Sequence, residues 1–256
     1  MMDREGKYIY CIINAKQDRT FGPIGIGSRG DEVGTIGIDD LAMVISAHPL
    51  TKLVVNRDNI LAHEKVIEEV MKEHTVLPVR FCTIASSADE IRSLLFKRYR
   101  EFKNVLRDMD HKVELGVKGL WKDMDIIFRE IAEESKEIKK IRRTPKGDVQ
   151  RENIQAKIEL GKLVEAALKH KKAEDAERIV AALKTSAFDY KLNTTIGDGM
   201  FMNGSFLVSK GREKEFDNVM EEVSDAYKER IWFLYAGPWP PYNFVNITIY
   251  QEEWER

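Results

Sequence analysis

Long runs of apolar residues are missing from the sequence. No stretch approaches the roughly 20 apolar residues that a helix needs to cross a bilayer. The first residues, MMDREGKYIYCIINA, place charges before only a short apolar run that is typical of a strand. We therefore expect no membrane span and no signal peptide, and a protein that folds in the cytoplasm.

The sequence also lacks a charge excess of either sign. It contains 41 Lys and Arg residues against 43 Asp and Glu residues. Without a global field, the surface does not concentrate nucleic acid or anionic lipid around itself. We expect neither a nucleic acid nor a membrane as partner. Hydrophobic residues make up 43% of the chain, which is enough to build packed cores.

Cysteine and histidine are scarce. Cys11 and Cys82 both lie in apolar, strand-like runs, which predicts two buried thiols in a reducing compartment rather than a disulfide. None of the five histidines has a second ligand-type residue at the spacing of a zinc site. The GxSxG motif and recognisable catalytic cysteine signatures are absent too. We expect no metal, no cofactor and no enzymatic activity.

One glycine motif resembles a nucleotide-binding loop. Gly25, Gly27 and Gly30 give GIGSRG, which formally matches the dinucleotide-binding fingerprint. That fingerprint works because a helix follows it and directs its N-terminus at the pyrophosphate. Here DEVGTIGI follows, with two more glycines and several β-branched residues. The motif is therefore interpreted as a connection between strands.

The hydrophobic pattern predicts an α+β fold with two domains, residues 1–110 and 111–256. In the first domain, β-branched and aromatic runs predict strands, and apolar residues at helical spacing predict two helices. We interpret this domain as a looser ferredoxin-like α+β domain. The predicted strands are Lys7–Ile13, Leu41–Ser46 and Val76–Thr83, and the predicted helices are Arg57–His74 and Ser87–Leu106.

The second domain is predicted to be a ferredoxin-like βαββαβ unit with an enlarged helical crossover. Narrow apolar seams in about 123–187 predict a coiled-coil-like helical hairpin, with a turn at 144–148 and a break near Lys169–Lys172. In the strand Lys112–Trp121, alternation places Glu114 on the solvent face. The other predicted elements are a β-hairpin (Asp189–Ile196 and Met200–Ser209), a helix (Gly211–Arg230) and a strand (Ile231–Ala236).

The segment GPWPPYNF, residues 237–244, follows the last predicted strand. Three prolines around Trp239 are expected to hold it extended and stiff. A stiff segment loses little entropy on binding, so Trp239, Tyr242 and Phe244 are candidate contacts for a partner. The alternative is that the segment folds back and its rings cap the core of its own domain.

Four sequence blocks, taken in order, resemble the gas vesicle protein F/L family (GvpF/GvpL). The C-terminal block is GPWPPYNFV, and the resemblance spans Ile60 to Val245. Where the family pattern is expected to have a glycine after Pro-Val-Arg-Phe, this chain has Cys82. The other blocks are ILAHEKVIEEVM (Ile60–Met71), VLPVRFCTIASS (Val76–Ser87) and VELGVKGLW (Val113–Trp121).

The resemblance implies an accessory or minor structural protein of gas vesicles, which are gas-filled protein shells. Its implied partners are the small hydrophobic shell protein GvpA and other gas vesicle accessory proteins, and its implied location is the vesicle shell after assembly in the cytoplasm. An apolar subunit must be kept from aggregating before it assembles. The alternative, from another class, is a ferredoxin-like small-molecule-binding protein or enzyme that uses Arg80 or His63 in a cleft.

Overall fold

The structure is a computed structural model that describes residues 5–27, 29–51, 53–143 and 150–249. The chain divides into two compact units with a mixed α+β fold. Unit 1 comprises Met1–Glu114 and Pro238–Arg256, and unit 2 comprises Leu115–Gly237. The sequence-based boundaries grouped all of 111–256 together, whereas the structure groups Pro238 and the residues after it with unit 1.

Unit 1 is built on a sheet whose central strand, β1, is buried on both faces. All six residues from Tyr8 to Ile13 are fully buried. The strand order is β2-β3-β4-β1-β5, and β6 also pairs with β1. The strands are β1 (Glu5–Asn14), β2 (Thr20–Gly22), β3 (Val33–Ile38), β4 (Leu41–Pro49), β5 (Val76–Pro78) and β6 (Ile84–Ala85).

A β-bulge in β1 sorts its side chains between two cores. Ile9 pairs with Ile45 and Cys11 with Val44, so Tyr10 is an extra residue on this strand. Two clusters result. The aliphatic cluster contains Ile9, Ile12, Leu77, Leu94, Leu95, Phe102 and Leu106. The tyrosine cluster contains Tyr8, Tyr10, Cys11, Ile13, Val66, Ile67 and Val70.

Three helices cover these clusters: α1 (Arg57–Met71), α2 (Ala88–Lys97) and α3 (Tyr99–Asp108). Asn56 caps α1, since its side chain accepts a hydrogen bond from the amide of Asn59 at 2.8 Å. Ser87 caps α2 in the same way. The single helix predicted from Ser87 to Leu106 is wrong, because the backbone leaves helical geometry at Arg98 (φ −108°, ψ 18°) and starts again at Tyr99.

The first unit differs from the prediction in its element order. Four strands precede the first helix, so the chain does not follow the split order of a ferredoxin-like domain here. The interpretation of GIGSRG as a connection between strands is confirmed, since the described residues of the motif lie between β2 and β3. The predicted strand Val76–Thr83 ends at Pro78, and the turn after it holds Cys82 at φ +68°. Cys82 is exposed, so the prediction that both thiols are buried is wrong for it.

The sheet of unit 2 has the strand order β10-β7-β9-β8. The predicted β-hairpin is confirmed, since β8 and β9 pair antiparallel across a turn at 197–199. The strands are β7 (Lys112–Trp121), β8 (Asp189–Leu192), β9 (Met200–Ser209) and β10 (Ile231–Trp239). The helices are α4 (Met124–Glu134), α5 (Lys136–Arg143), α6 (Gln150–Leu183) and α7 (Glu213–Ala226), with a 3₁₀ turn at Lys184–Ser186.

Helices α4 and α5 pack against α6, as the predicted helical hairpin requires. The indole of Trp121, just before α4, donates to Asp175 at 2.8 Å, and Glu134 at the end of α4 meets Lys171 at 2.6 Å. Later residues along α4 therefore contact earlier residues of α6, so the two helices are antiparallel. The predicted break at Lys169–Lys172 is wrong, because α6 is continuous there. The predicted turn at 144–148 lies outside the described residues.

A cluster of buried and half-buried charged side chains connects the helices α4 and α6. Arg230 contacts Glu130 at 2.5 Å and Asp175 at 3.4 Å, and Lys171 contacts Glu130 at 3.0 Å. Hydrogen bonds from Arg230, with a smaller contribution from Lys171, hold the pKa of Glu130 at about 2. The cluster thus joins α4, α6 and the start of β10 through charge-assisted hydrogen bonds.

A close approach at Gly119 yields a stability prediction. A Cβ atom at this position would lie 2.5 Å from the ring of Phe201, which stacks on Trp121. We expect Gly119→Ala to lower the free energy of unfolding by about 1–3 kcal/mol, because a well-packed ring must move. Gly161→Ala is the matched control, since its Cβ meets open space on α6. Helix propensity predicts a gain of up to about 1 kcal/mol there. Equal effects of both changes in urea unfolding would contradict the prediction.

Candidate functional site

Strand β10 runs into the proline-aromatic segment GPWPPYNF. Residues Gly237–Trp239 continue the strand, and Gly237 takes φ +127°, a conformation that favours glycine. Beyond Trp239 the chain turns, because the amides of Phe244 and Val245 both donate to the carbonyl of Pro241, at 3.1 and 3.0 Å. The prediction that the whole segment is extended is therefore wrong after Trp239.

The three aromatic candidates of this segment occupy different environments. Trp239 keeps 38% of its surface exposed, while Pro240 and Pro241 behind it are buried. Tyr242 packs against the tyrosine cluster, where burial raises the pKa of its phenol and its hydroxyl is enclosed. Phe244 is half-buried. The ring of Tyr242 therefore packs against a core, whereas the ring of Trp239 is partly exposed to solvent.

A buried carboxylate holds the turn in place. Glu114 of β7 is only 2% exposed, so its predicted position on the solvent face is wrong. One carboxylate oxygen accepts the backbone amide of Asn243 at 2.8 Å, and the other accepts the Asn243 side-chain amide at 2.5 Å. Sequence reasoning missed this pair. A lone carboxylate inside an apolar strand, together with an asparagine in the turn, was the available signal.

The residues that follow cross the aliphatic cluster. We call residues 240–249 the C-terminal strap. Val245 and Ile247 are buried in the cluster, and Ile249 packs at its margin. Arg98, at the break between α2 and α3, donates to the carbonyl of Thr248 at 2.8 Å. Apolar burial and two polar attachments therefore fix the strap to unit 1.

His63 and Arg80, the residues of the alternative hypothesis, lie in different environments. His63 is buried in the tyrosine cluster, where its Nδ1 lies 2.9 Å from the hydroxyl of Tyr8 and its ring stacks on Tyr10. Desolvation lowers the pKa of His63 to about 4, so its ring is neutral at pH 7. Arg80 is exposed.

One pocket formed by described residues lies in unit 2. It includes neither His63 nor Arg80, and its basic side chain, Arg212, makes a two-pronged ion pair with Glu215 at 2.7 and 2.6 Å. Its lining residues are Thr185, Ser186, Ala187, Phe188, Ser209, Arg212 and Glu215. Within the described ranges, no group of three His, Cys, Asp or Glu side chains is arranged to hold a metal ion. In the same ranges, no helix is long and apolar enough to cross a membrane.

The depressed pKa of His63 predicts how stability depends on pH. The folded state binds the proton less tightly than the unfolded chain, so stability is complete above about pH 6.5 and is lost as the pH falls toward 4. The shift corresponds to about 3 kcal/mol. We expect His63→Gln to flatten urea-unfolding free energies between these pH values. His74, whose pKa burial also lowers, retains part of the slope. An unchanged slope in His63→Gln would contradict the assignment.

The Glu114–Asn243 pair predicts which residue secures the strap. Asn243→Ala leaves the buried carboxylate short of a donor, so we expect a loss of about 1–3 kcal/mol in the free energy of unfolding. Asn246→Ala is the matched control, because Asn246 is an exposed asparagine of the same strap. Its expected effect stays within about 0.5 kcal/mol. Urea denaturation distinguishes the two, and equal losses would show that the pair has no special role.

Comparison with known proteins agrees with this architecture. The solved structure of the gas vesicle protein GvpF from Anabaena sp. PCC7120 superimposes with a TM-score of 0.81 at 23% identity, covering 96% of this chain and all of the other. GvpF from Microcystis aeruginosa gives a TM-score of 0.77 at 24% identity, with 94% and 99% covered. These two structures establish likeness of fold.

Sequence relatives cover almost the whole chain as well. Gas vesicle protein F of Streptomyces sp. is 30% identical over 244 residues, which are 93% of this chain and 99% of the relative. Gas vesicle protein F1 of Halobacterium salinarum is 27% identical over 252 residues, which are 97% of each. Residues 6–246 match the family described as gas vesicle synthesis protein GvpL/GvpF. The chain therefore belongs to the GvpL/GvpF family of gas vesicle synthesis proteins.

Proposed function

We propose that this protein is a non-enzymatic accessory or minor structural component of gas vesicles that binds the shell protein GvpA and assists nucleation or assembly of the shell. Family membership supports a role in gas vesicle formation. The exposed ring of Trp239, on a segment whose next residues are fixed to unit 1, carries the more specific claim. The protein works in the cytoplasm and ends at the vesicle shell. Other gas vesicle accessory proteins are further partners.

Preorganisation of the backbone supports Trp239 as a contact residue. Buried prolines and the Glu114–Asn243 hydrogen bonds restrain the backbone beside it, so little freedom remains to be lost on binding. A tryptophan contributes a large apolar surface and is over-represented among residues that dominate binding energy. Tyr242 and Phe244 belong to the same contact hypothesis, and Tyr242 acts in it by holding the turn.

The proposed partner also fits the surface of unit 2. Trp232 and Leu234, which alternate along β10, are each more than half exposed. Side chains two apart on a strand share one face, so these two form an apolar stripe. Apolar stripes of this kind suit a hydrophobic subunit that must be shielded before it enters the shell. For residues 112–239, the strand order β10-β7-β9-β8 supports the inferred ferredoxin-like βαββαβ architecture.

Trp239→Ala tests the proposal directly. Loss of a central aromatic anchor typically costs 2 kcal/mol or more, so we expect binding to purified GvpA to weaken by roughly 30-fold. Because 38% of Trp239 is exposed, we expect the variant to keep a single cooperative unfolding transition. Phe96→Ala is the matched control, since Phe96 is an exposed aromatic on α2 of the same unit.

Three outcomes would contradict the proposal. Unchanged GvpA binding by Trp239→Ala would remove this residue from the contact, and absent binding by the unmodified protein would remove GvpA as partner. Early, non-cooperative melting of Trp239→Ala would show that the ring seals its own core. A deletion strain supplied with either variant gives the second readout, because vesicle yield should fall with Trp239→Ala and not with Phe96→Ala.

A further inference from the structure

Strand β8 forms an edge of the unit 2 sheet, and every residue in it is exposed. In the described part of the chain, β8 pairs on one side with β9 and ends the sheet on the other. Phe188, which precedes it, is 65% exposed, and Leu192 is 52% exposed. An edge strand with exposed apolar side chains is a template for pairing with another strand.

Hydrogen bonding shows which backbone groups face outward. The amide of Asn193 donates to the carbonyl of Asn203 on β9 at 2.7 Å, so position 193 bonds into the sheet. Bonded and outward positions alternate along the paired residues 189–193, which places Lys191 and Asp189 inward and Tyr190 outward. The amide of Phe188, before the strand, also donates into the sheet, to the carbonyl of Leu207 at 2.8 Å, so Phe188 lies outside this alternation. The amide of Tyr190 accordingly donates to the carboxylate of its neighbour Asp189 at 2.8 Å rather than to β9.

The side chains of this edge are self-complementary. Residues 188–192 read Phe-Asp-Tyr-Lys-Leu, with an acidic and a basic residue placed symmetrically around a central tyrosine. In an antiparallel pair centred on Tyr190, Asp189 of each copy lies opposite Lys191 of the other. Opposite charges directly across two strands stabilise their pairing.

We propose that β8 pairs antiparallel with β8 of a second copy of this chain, about a two-fold axis through Tyr190. The contact is isologous, since the same strand contributes to both sides. Tyr190 is an outward position, so the two tyrosines exchange both backbone hydrogen bonds. On pairing, the amide of each Tyr190 stops donating to the carboxylate of Asp189 and donates to a carbonyl of the other copy instead. The released Asp189 carboxylate then forms an ion pair with Lys191 of the other copy.

Charge selects this register over its neighbours. Residues whose backbone groups point away from β9 must lie opposite the same kind of residue in the other copy. The allowed registers therefore differ by moving the two-fold axis one residue along the strand. A centre at Lys191 opposes the two lysines, and a centre at Asp189 opposes the two aspartates. Like charges directly opposite destabilise a strand pair. The Tyr190-centred register alone pairs unlike charges, which favours a second copy as the occupant of this edge.

Charge exchange tests the proposal in the full-length chain. Asp189→Lys and Lys191→Asp each place like charges across the axis, so each should lower the self-association constant by roughly tenfold or more in sedimentation analysis. An equimolar mixture of the two variants should associate, because one copy supplies two lysines and the other two aspartates. The double variant Asp189→Lys/Lys191→Asp should self-associate again.

Cross-linking tests the register. In a Cys82→Ser background, Tyr190→Cys places two thiols across a bonded pair whose Cα atoms are roughly 5.5 Å apart, a distance that a disulfide can span. Leu192→Cys is the matched control, since the two copies of position 192 are four residues out of register. Mild oxidation should form a disulfide between two copies of the first variant and none between two copies of the second, and circular dichroism confirms that both are folded.

Concentration-independent monomers would overturn the proposal, as would a dimer that ignores both charge changes or links equally through position 192. The outcome is separate from the GvpA proposal. Trp239→Ala should dimerise normally, and the charge variants should bind purified GvpA with unchanged affinity. A β8 variant that loses GvpA binding while the unmodified chain stays monomeric would instead assign this edge to GvpA.

Discussion

The hydrogen bonds between Glu114 and Asn243 connect positions 129 residues apart in the chain. Removing a carboxylate from water costs free energy unless hydrogen-bond donors replace the water. Asn243 supplies such donors to Glu114, and Glu114 in turn holds the turn at Asn243 in place. Once that turn is fixed, Val245 and Ile247 enter the aliphatic cluster and Tyr242 enters the tyrosine cluster. Trp239, just before the turn, stays at the surface. The hydrogen bonds of Glu114 thus hold the turn that separates the exposed Trp239 from the residues packed in the two clusters.

Unit 2 uses charge differently. Its ionic cluster joins three elements, and the hydrogen bonds from Arg230 keep Glu130 ionised well below neutral pH. Asp175 is buried and has three donors, the indole of Trp121 and the guanidinium groups of Arg178 and Arg230. Buried ion pairs contribute little net stability compared with apolar packing, but they penalise alternative arrangements in which a charge is left alone. We infer that the cluster fixes the alignment of α4 and α6.

The sequence predicted best those elements whose pattern is local. The strands Lys112–Trp121 and Met200–Ser209 have the predicted bounds, because alternation and turn residues define them without reference to distant contacts. The N-cap at Asn56 and the cap at Ser87 follow from residue chemistry in the same way. Family membership was also accessible, since four short blocks appear in a fixed order.

What the sequence left unpredicted depends on tertiary contacts. The burial of Glu114 requires Asn243 as a hydrogen-bond partner. The sequence around either residue does not identify the other as that partner. Cys82 takes a left-handed backbone conformation that glycine adopts more readily, because the turn between β5 and β6 brings both strands against β1. The proline-rich segment has the expected extended conformation only as far as Trp239. After that residue, the gain from burying Tyr242 and Val245 outweighs the extended preference.

The bulge at Tyr10 has a consequence for which insertions and deletions β1 tolerates. Before the bulge, even-numbered positions such as Tyr8 face the tyrosine cluster, and after it odd-numbered positions such as Ile13 do. Removing one residue at the bulge would restore strict alternation and send every side chain on one flank to the opposite core. Tyrosine hydroxyls would then enter aliphatic surroundings without partners. We therefore expect the deletion of one residue from β1 to lower the free energy of unfolding more than most substitutions in the strand do.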